Sequence, residues 1–130
     1  MSSAEVRYLK ISFDEILDRL KHYARSKANE HDTRAIVLAG SLAKGTYTGS
    51  SDADVLVIAE EVPTSVLERY ALFAEPGLPI DVQPRVYTTK EFISKIRQED
   101  RFAVECLLIG IPLHGERFFN DLRKSIGAHS

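Results

Sequence analysis

The chain has 130 residues, 44% of them hydrophobic and 28% charged, and 17 Lys and Arg against 19 Asp and Glu give a formal net charge of −2. This length and composition exclude a disordered or fibrous chain and predict a single globular domain over residues 1–130. The slightly acidic balance argues against general nucleic-acid binding, because proteins that coat nucleic acid are strongly basic.

The first half of the chain predicts one helix followed by two strands. Ser12 and Glu15 have the spacing of a capping box, and an apolar stripe at helical spacing follows them. Residues 34–39 (RAIVLA) and 52–58 (DADVLVI) are short, apolar and β-branched, which is typical of buried strands. Between these strands, residues 41–51 are small and polar and predict a loop.

The second half predicts a third strand among helices. Pro84 lies inside that strand, so we expect an edge position, a bulge or an early end there. The order of elements predicts an α+β fold, a small mixed β-sheet flanked by helices. In chain order the predictions are a helix opened by Pro63 and Thr64 and running to about Phe73, a strand over 80–87, a helix begun by the Thr88–Glu91 capping box, a helix over about 100–109, a short strand over 111–114 and a helix over 116–125.

Several familiar signals are missing from the sequence. No apolar run approaches the roughly 18 residues of a membrane span, and the first residues lack the apolar region of a secretory signal. The single Cys106 cannot form an internal disulfide, and the four His residues show no zinc-site spacing. We therefore expect a cytoplasmic protein with no membrane partner.

Two aspartates open the second predicted strand. Residues two apart on a strand share a face, so Asp52 and Asp54 project side by side while Ala53 and Val55 face the core. Such a carboxylate pair is costly unless a cation or free water lies between the two groups. Asp81 sits in similar apolar surroundings, and its strand could be a neighbour. Three carboxylates on adjacent strands favour Mg²⁺ or Mn²⁺.

The loop after the first strand has features of a phosphate-binding segment. Gly40 permits close approach of the backbone to a ligand, and Ser41 offers a hydroxyl and an N–H group. A helical turn at residues 42–44 would add positive potential, and Lys44 adds a charge. A phosphate binder beside a carboxylate metal site is typical of phosphoryl or nucleotidyl transfer by a two-metal mechanism.

Other interpretations of these residues stay open or fit less well. Asp52 and Asp54 taken alone could be solvated charges, Asp81 a surface acid, and Lys44 a solvated loop lysine. The loop lacks the final Lys and Ser or Thr of a Walker A motif, and apolar residues follow Asp54 where an EF-hand needs Gly. A two-carboxylate glycosidase would leave Gly40 and Ser41 unexplained.

Three segments together resemble the DNA polymerase beta-type nucleotidyltransferase superfamily. That family's signature is Gly-Ser after a hydrophobic strand, about ten residues, Asp-x-Asp, and a later acidic residue between hydrophobic ones. Here these are Gly40-Ser41, Asp52-Ala53-Asp54 and Ile80-Asp81-Val82, in that order. The length of the chain and the sequence of residues 40–58 (GSLAKGTYTGSSDADVLVI) are similar to those of the minimal nucleotidyltransferases (MNT). Many of these carry Arg where Lys44 stands.

The resemblance implies a role for each motif residue. Asp52 and Asp54 would be paired ligands of Mg²⁺ or Mn²⁺, and Asp81 would be the third ligand and the base for the acceptor hydroxyl. The remaining residues would bind the NTP substrate, which we expect to be ATP. Gly40 and Ser41 would hold its β- and γ-phosphates, with Lys44 as an auxiliary contact.

The resemblance also implies a partner. Minimal members are often paired with a helical HEPN-type protein in toxin–antitoxin systems, where the nucleotidyltransferase neutralises the toxin, in some cases by adding AMP to a Tyr. We therefore expect transfer of NMP to a hydroxyl of a protein or small molecule. The alternative is a non-catalytic nucleotide-binding protein that neutralises a helical toxin by complex formation. Apolar side chains along residues 92–108 are also compatible with homo-oligomerisation.

Overall fold

The computed structural model describes residues 12–45, 52–78 and 80–127. Within these ranges it has the predicted α+β architecture, with four strands and six helices. The end of the predicted loop, residues 46–51, lies outside the described residues. In chain order the elements are α1 (Phe13–Lys27), β1 (Thr33–Ala39), α2 (Gly40–Lys44), β2 (Ala53–Ala59), α3 (Val66–Phe73), β3 (Val82–Tyr87), α4 (Thr89–Arg97), α5 (Arg101–Ile109), β4 (Ile111–His114) and α6 (Glu116–Gly127).

The strands form one mixed sheet in the order β3-β2-β1-β4. β1 pairs antiparallel with β2 and β4, whereas β2 and β3 are parallel. The edge position of β3 confirms the expectation from Pro84, because proline cannot donate to a neighbouring strand on both sides. In the parallel pair, Pro84 lies opposite Val55.

Side-chain caps fix where the helices begin. The Ser12 hydroxyl accepts from Glu15 N at 3.1 Å, and Thr88 and Glu91 form both halves of the predicted capping box. α3 begins two residues later than predicted, because Ser65 is its N-cap and accepts from the N–H group of the third helical residue.

The sheet separates two apolar layers. On one face α1 and α3 cover β1, β2 and β3, and the Tyr23 hydroxyl donates to the Phe73 carbonyl at 2.6 Å. On the other face α4, α5 and α6 cover β1 and β2. The phenyl rings of Phe73, Phe92 and Phe119 are fully buried, and burial of each contributes about 2–3 kcal/mol.

Arg69 connects three elements at the edge of the sheet. Its side chain, on α3, donates to the Val86 carbonyl of β3 at 3.1 Å. It also makes a bidentate pair with the Glu91 carboxylate of α4, at 2.7 and 3.2 Å. This forked geometry suits the planar guanidinium group and stabilises the packing of both helices against β3.

None of the helices in the described ranges is long and apolar enough to cross a lipid bilayer. Cys106 is fully buried on α5 and packs against the sheet.

Candidate active site

The carboxylate of Asp54 lies directly over the backbone of Gly40. Strand register brings them together, because Ala39, the last residue of β1, pairs with Asp54 of β2. A Cβ atom on Gly40 would come within 2.3 Å of the Asp54 Oδ2 atom, and the φ of Gly40 is +69°. Both the contact and the torsion require glycine. The two separate motifs, Gly-Ser and Asp-x-Asp, therefore meet at one point of the fold.

Asp52 and Asp81 lie at equivalent positions beside the parallel strands. The register pairs Ala53 with Val82, so each aspartate directly precedes its strand. The predicted strands began at residues 52 and 80, but the first ladder bond is Ala53 N–H to the Asp81 carbonyl, at 2.8 Å. Both aspartates are exposed, so neither carboxylate is isolated from water.

The pattern of burial confirms which way the strand faces. Ala53 and Val55 are fully buried in the layer under α1 and α3. Asp54 therefore projects from the opposite face, where β2 also presents Leu56 to α4, α5 and α6. Asp52, which directly precedes the strand, is near enough to Asp54 to affect its ionisation.

The surroundings of Asp54 disfavour its negative charge. Burial raises the pKa of this carboxyl group most, and Asp52 and Glu105 raise it further, while the Arg85 guanidinium lowers it. A divalent cation would relieve this repulsion, and carboxylate oxygens are suitable ligands for Mg²⁺ or Mn²⁺. Among the described residues, no group of three His, Cys, Asp or Glu side chains lies close enough together to hold a metal ion. Metal binding by Asp52, Asp54 and Asp81 thus stays a prediction.

Two charged residues near Asp54, Arg85 and Glu105, belong to no sequence motif and were not predicted. Arg85 follows Asp81 by four residues on β3, and its Cζ atom lies 4.3 Å from the ring centroid of Phe102. Alternation along the strand is the signal that could have identified it, because residues 81, 83 and 85 share a face. Glu105 gave no such signal, because its place depends on how α5 packs on the sheet.

Gly40, Ser41 and Lys44 form the short helix α2, which extends the helical turn expected at residues 42–44. The Lys44 Nζ atom lies 2.7 Å from the Glu105 Oε1 atom. This oxygen is buried and makes no hydrogen bond within the described residues, so the contact is an ion pair without hydrogen-bond alignment. Lys44 thus neutralises an acidic neighbour of Asp54, and its predicted contact with a phosphate stays untested.

Comparisons with known proteins agree with the sequence motifs. A family model described as nucleotidyltransferase domain matches residues 16–109, which is well over half of the chain. This match confirms the resemblance predicted from the Gly-Ser and Asp-x-Asp segments. A search of curated protein sequences gives no match.

Two solved structures resemble this fold. A candidate nucleotidyltransferase from Sulfolobus solfataricus is 17% identical, with a TM-score of 0.54 over 86% of this chain and 87% of that chain. A toxin–antitoxin structure with AMP-PNP is 20% identical, with a TM-score of 0.56 over 87% of each chain. At these identities the likeness shows the fold.

Proposed function

The chain belongs to the nucleotidyltransferase domain family, and we propose that it moves a nucleoside monophosphate from an NTP to a hydroxyl group. In this proposal residues 1–130 form one minimal nucleotidyltransferase domain. The favoured donor is ATP, which the toxin–antitoxin neighbour with AMP-PNP supports by analogy. The acceptor is a hydroxyl of a protein or a small molecule.

One observation carries the proposal. The Asp54 carboxylate packs over Gly40, at a distance that leaves no room for a side chain there. The Gly-Ser segment and the carboxylate pair therefore belong to one site rather than to two unrelated surfaces. Nucleotidyl transfer needs a segment that binds the phosphates of the NTP and, beside it, oxygen ligands that hold a divalent metal ion.

The chain's own residues would divide the work as follows. Gly40 and Ser41 would hold the β- and γ-phosphates. Lys44 would leave its ion pair with Glu105 and bind a phosphate oxygen instead. Asp52 and Asp54 would hold divalent metal, with Asp81 as the third ligand. Two bound Mg²⁺ or Mn²⁺ ions would activate the acceptor hydroxyl and neutralise the leaving pyrophosphate.

The reaction itself is a displacement at the α-phosphate. The acceptor oxygen forms a bond to the α-phosphorus while the bond from that phosphorus to the bridging oxygen of pyrophosphate breaks. Asp81 takes the proton of the acceptor hydroxyl. Its carboxylate, which is exposed just before β3 begins, can release that proton to water before the next turnover.

We propose that the partner and acceptor is a helical HEPN-type protein. The similarity of this fold to the toxin–antitoxin structure supports that proposal. Large apolar side chains also lie on the surface: Val66 and Leu67 are 80% exposed, and Leu108 is 76% exposed. Exposed apolar side chains of this kind are available for contact with another protein. A complex that neutralises the partner without transfer is the competing possibility.

The test is label transfer from α-phosphate-labelled ATP. Purified protein is incubated with Mg²⁺ and an extract of its source cells, and labelled products are separated. We expect a discrete labelled product with the wild-type protein and none with Asp52→Asn. Asp18→Asn, which removes an exposed carboxylate on α1, is the matched control and should label as the wild type does.

Transfer by Asp52→Asn at the wild-type rate would contradict the mechanism. Absence of label with every variant, together with a stable complex between the wild-type protein and a helical partner, would favour neutralisation by binding. Asp52→Asn should preserve such a complex, since its contacts do not depend on the metal site.

A further inference from the structure

A groove of about 470 Å³ runs along the free edge of the sheet. Its floor is the second half of β3, from Pro84 to Tyr87. One wall is α3, including Val66 and Tyr70, and the other wall is α4, including Lys95. Because the floor spans four strand residues at about 3.3 Å per residue, the groove has the length of about four residues of extended polypeptide.

The backbone of β3 does not offer this groove a place for an added strand. The bond from Ala53 N–H to the Asp81 carbonyl sets the register, so alternate residues of β3 direct their polar groups outward. Pro84 is one of these and has no N–H group. Val86 is another, and its carbonyl already accepts from Arg69 at 3.1 Å. An occupant must therefore be recognised by side chains.

Those side chains are cationic and apolar. Among the described residues, the groove is lined by three cations, Arg69, Arg85 and Lys95, and by one acid, Glu91. Arg69 is paired with that acid, whereas Arg85 and Lys95 form no ion pair among the described residues. In a chain of net charge −2, this local excess of positive charge favours an acidic occupant.

One residue of the groove, Arg85, also lies near the candidate active site. Arg85 lines the groove, rests on the Phe102 ring and lies near enough to Asp54 to affect its ionisation. β2 separates two sides of the site: Gly40 and Ser41 follow β1 on one side, and β3 with the groove lies on the other. With the triphosphate held by Gly40 and Ser41, the groove is the side from which an acceptor would approach.

We propose that the β3 groove binds an acidic, partly apolar polypeptide segment and presents its hydroxyl group to the carboxylates. The proposal rests on the proposed function for the acceptor role, and on the groove's charge and shape for the binding itself. Val66, which is 80% exposed, and Tyr70, which is 38% exposed, supply the apolar contacts. Arg85 and Lys95 supply the charge.

The test compares two fluorescent peptides by anisotropy. One consists of repeats of glutamate, tyrosine and serine, and the other has lysine in place of glutamate. We expect the wild-type protein to bind the acidic peptide more tightly. The double variant Arg85→Ala/Lys95→Ala should weaken that binding about tenfold, since each exposed charge pair accounts for roughly threefold to fivefold.

The matched control removes two exposed cations that lie outside the groove, in Arg97→Ala/Lys124→Ala. It carries the same change of net charge and should bind the acidic peptide within about twofold of the wild type. An unchanged melting temperature will show that both double variants are folded.

Five results would overturn the proposal. Three concern the peptides: equal binding of both, binding of neither at millimolar concentration, or equal weakening by the control variant. The fourth is loss of ATP affinity in Arg85→Ala/Lys95→Ala with peptide binding intact, which assigns the groove to the nucleotide. The fifth is a dimer of the wild-type protein in sedimentation that Arg85→Ala/Lys95→Ala dissociates, which assigns the groove to a second copy.

The peptide assay and the transfer assay separate the two proposals. Asp52→Asn should bind the acidic peptide as the wild type does, because Asp52 lies outside the groove. Peptide binding together with transfer that survives Asp52→Asn contradicts the proposed function alone. Transfer that requires Asp52 together with no preference for the acidic peptide contradicts the groove alone.

Discussion

At the residue scale, the contact between Gly40 and Asp54 defines the site. A carboxylate held against backbone loses hydration, and Asp52 and Glu105 add like charge, which explains why the pKa of Asp54 is raised. The folded chain therefore tolerates an unfavourable charge at this point. Functional sites commonly lower the stability of the folded protein in this way when a ligand is needed to balance their charge.

Gly40→Ala should abolish transfer and destabilise the protein by about 2–4 kcal/mol, because the new Cβ meets both a positive φ and the Asp54 carboxylate. Gly45→Ala is the matched control. Gly45 has a φ of +77°, and no atom of the described residues lies within 4 Å of its Cβ position, so this substitution should cost only about 1 kcal/mol. Urea unfolding measures both, and equal costs would show that Asp54 does not constrain Gly40.

Asp54→Asn should make the metal-free protein at least as stable as the wild type at pH 7. The raised pKa means that the folded state binds the proton more tightly than the unfolded state, so ionisation of Asp54 lowers stability as the pH rises. Melting curves with and without MgCl₂ test this. Mg²⁺ should raise the melting temperature of the wild type and leave Asp54→Asn unaffected, whereas equal shifts would place the metal elsewhere.

At the element scale, the sequence predicts the order and type of the described strands and helices except α2, where it predicts a loop with a helical turn at residues 42–44. Caps at Ser12 and Thr88 and the apolar runs carry that information locally. Strand ends were less predictable, because Asp52 and Asp81 directly precede β2 and β3, and the first bond between these strands joins Ala53 N–H to the Asp81 carbonyl. Strand alternation places Arg85 on the same face as Asp81, but its nearness to Asp54 depends on the pairing of β2 with β3. The nearness of Glu105 depends on how α5 packs on the sheet, and no local pattern encodes that packing.

Glu91→Gln should cost about 1 kcal/mol at neutral pH, because it weakens the capping box and the bidentate pair with Arg69. Hydrogen bonds from Arg69 are the main reason that the pKa of Glu91 lies below its usual value. Its contribution is therefore complete above that usual value and disappears as the pH falls through the lowered one.

Chemical denaturation of Glu91→Gln and the wild type between pH 7 and pH 3 tests this linkage. The stability difference should shrink towards the acid end, while Glu68→Gln, at an exposed position of α3, should show little difference at any pH. A difference that stays constant with pH would show that Glu91 acts by shape rather than by charge.

At the scale of the whole molecule, the sheet and its two apolar layers support a site at one end of β1, β2 and β3. Cys106, the single cysteine of the chain, lies in the layer under α5 and is fully buried. Burial is the main cause that raises the pKa of its thiol to about 12. The thiol therefore stays protonated at neutral pH and reports on opening of the core.

Reaction of Cys106 with a disulfide reagent at pH 8 should be at least about a thousandfold slower in the folded protein than in urea, because it requires opening of the core. Absorbance of the released thiolate gives both rates. A folded-state rate close to that of a free thiol would show that α5 opens independently of the sheet.

The most direct test of the account compares ATP labelled at the α-phosphate with ATP labelled at the γ-phosphate, in parallel reactions with Mg²⁺ and the same cell extract. We expect one acceptor labelled only by the α-phosphate, with loss of that label in Asp52→Asn. An acceptor labelled only by the γ-phosphate, and only when the wild-type protein is added, would mean that this protein transfers a phosphoryl group, and would contradict the assignment of its site to nucleotidyl transfer.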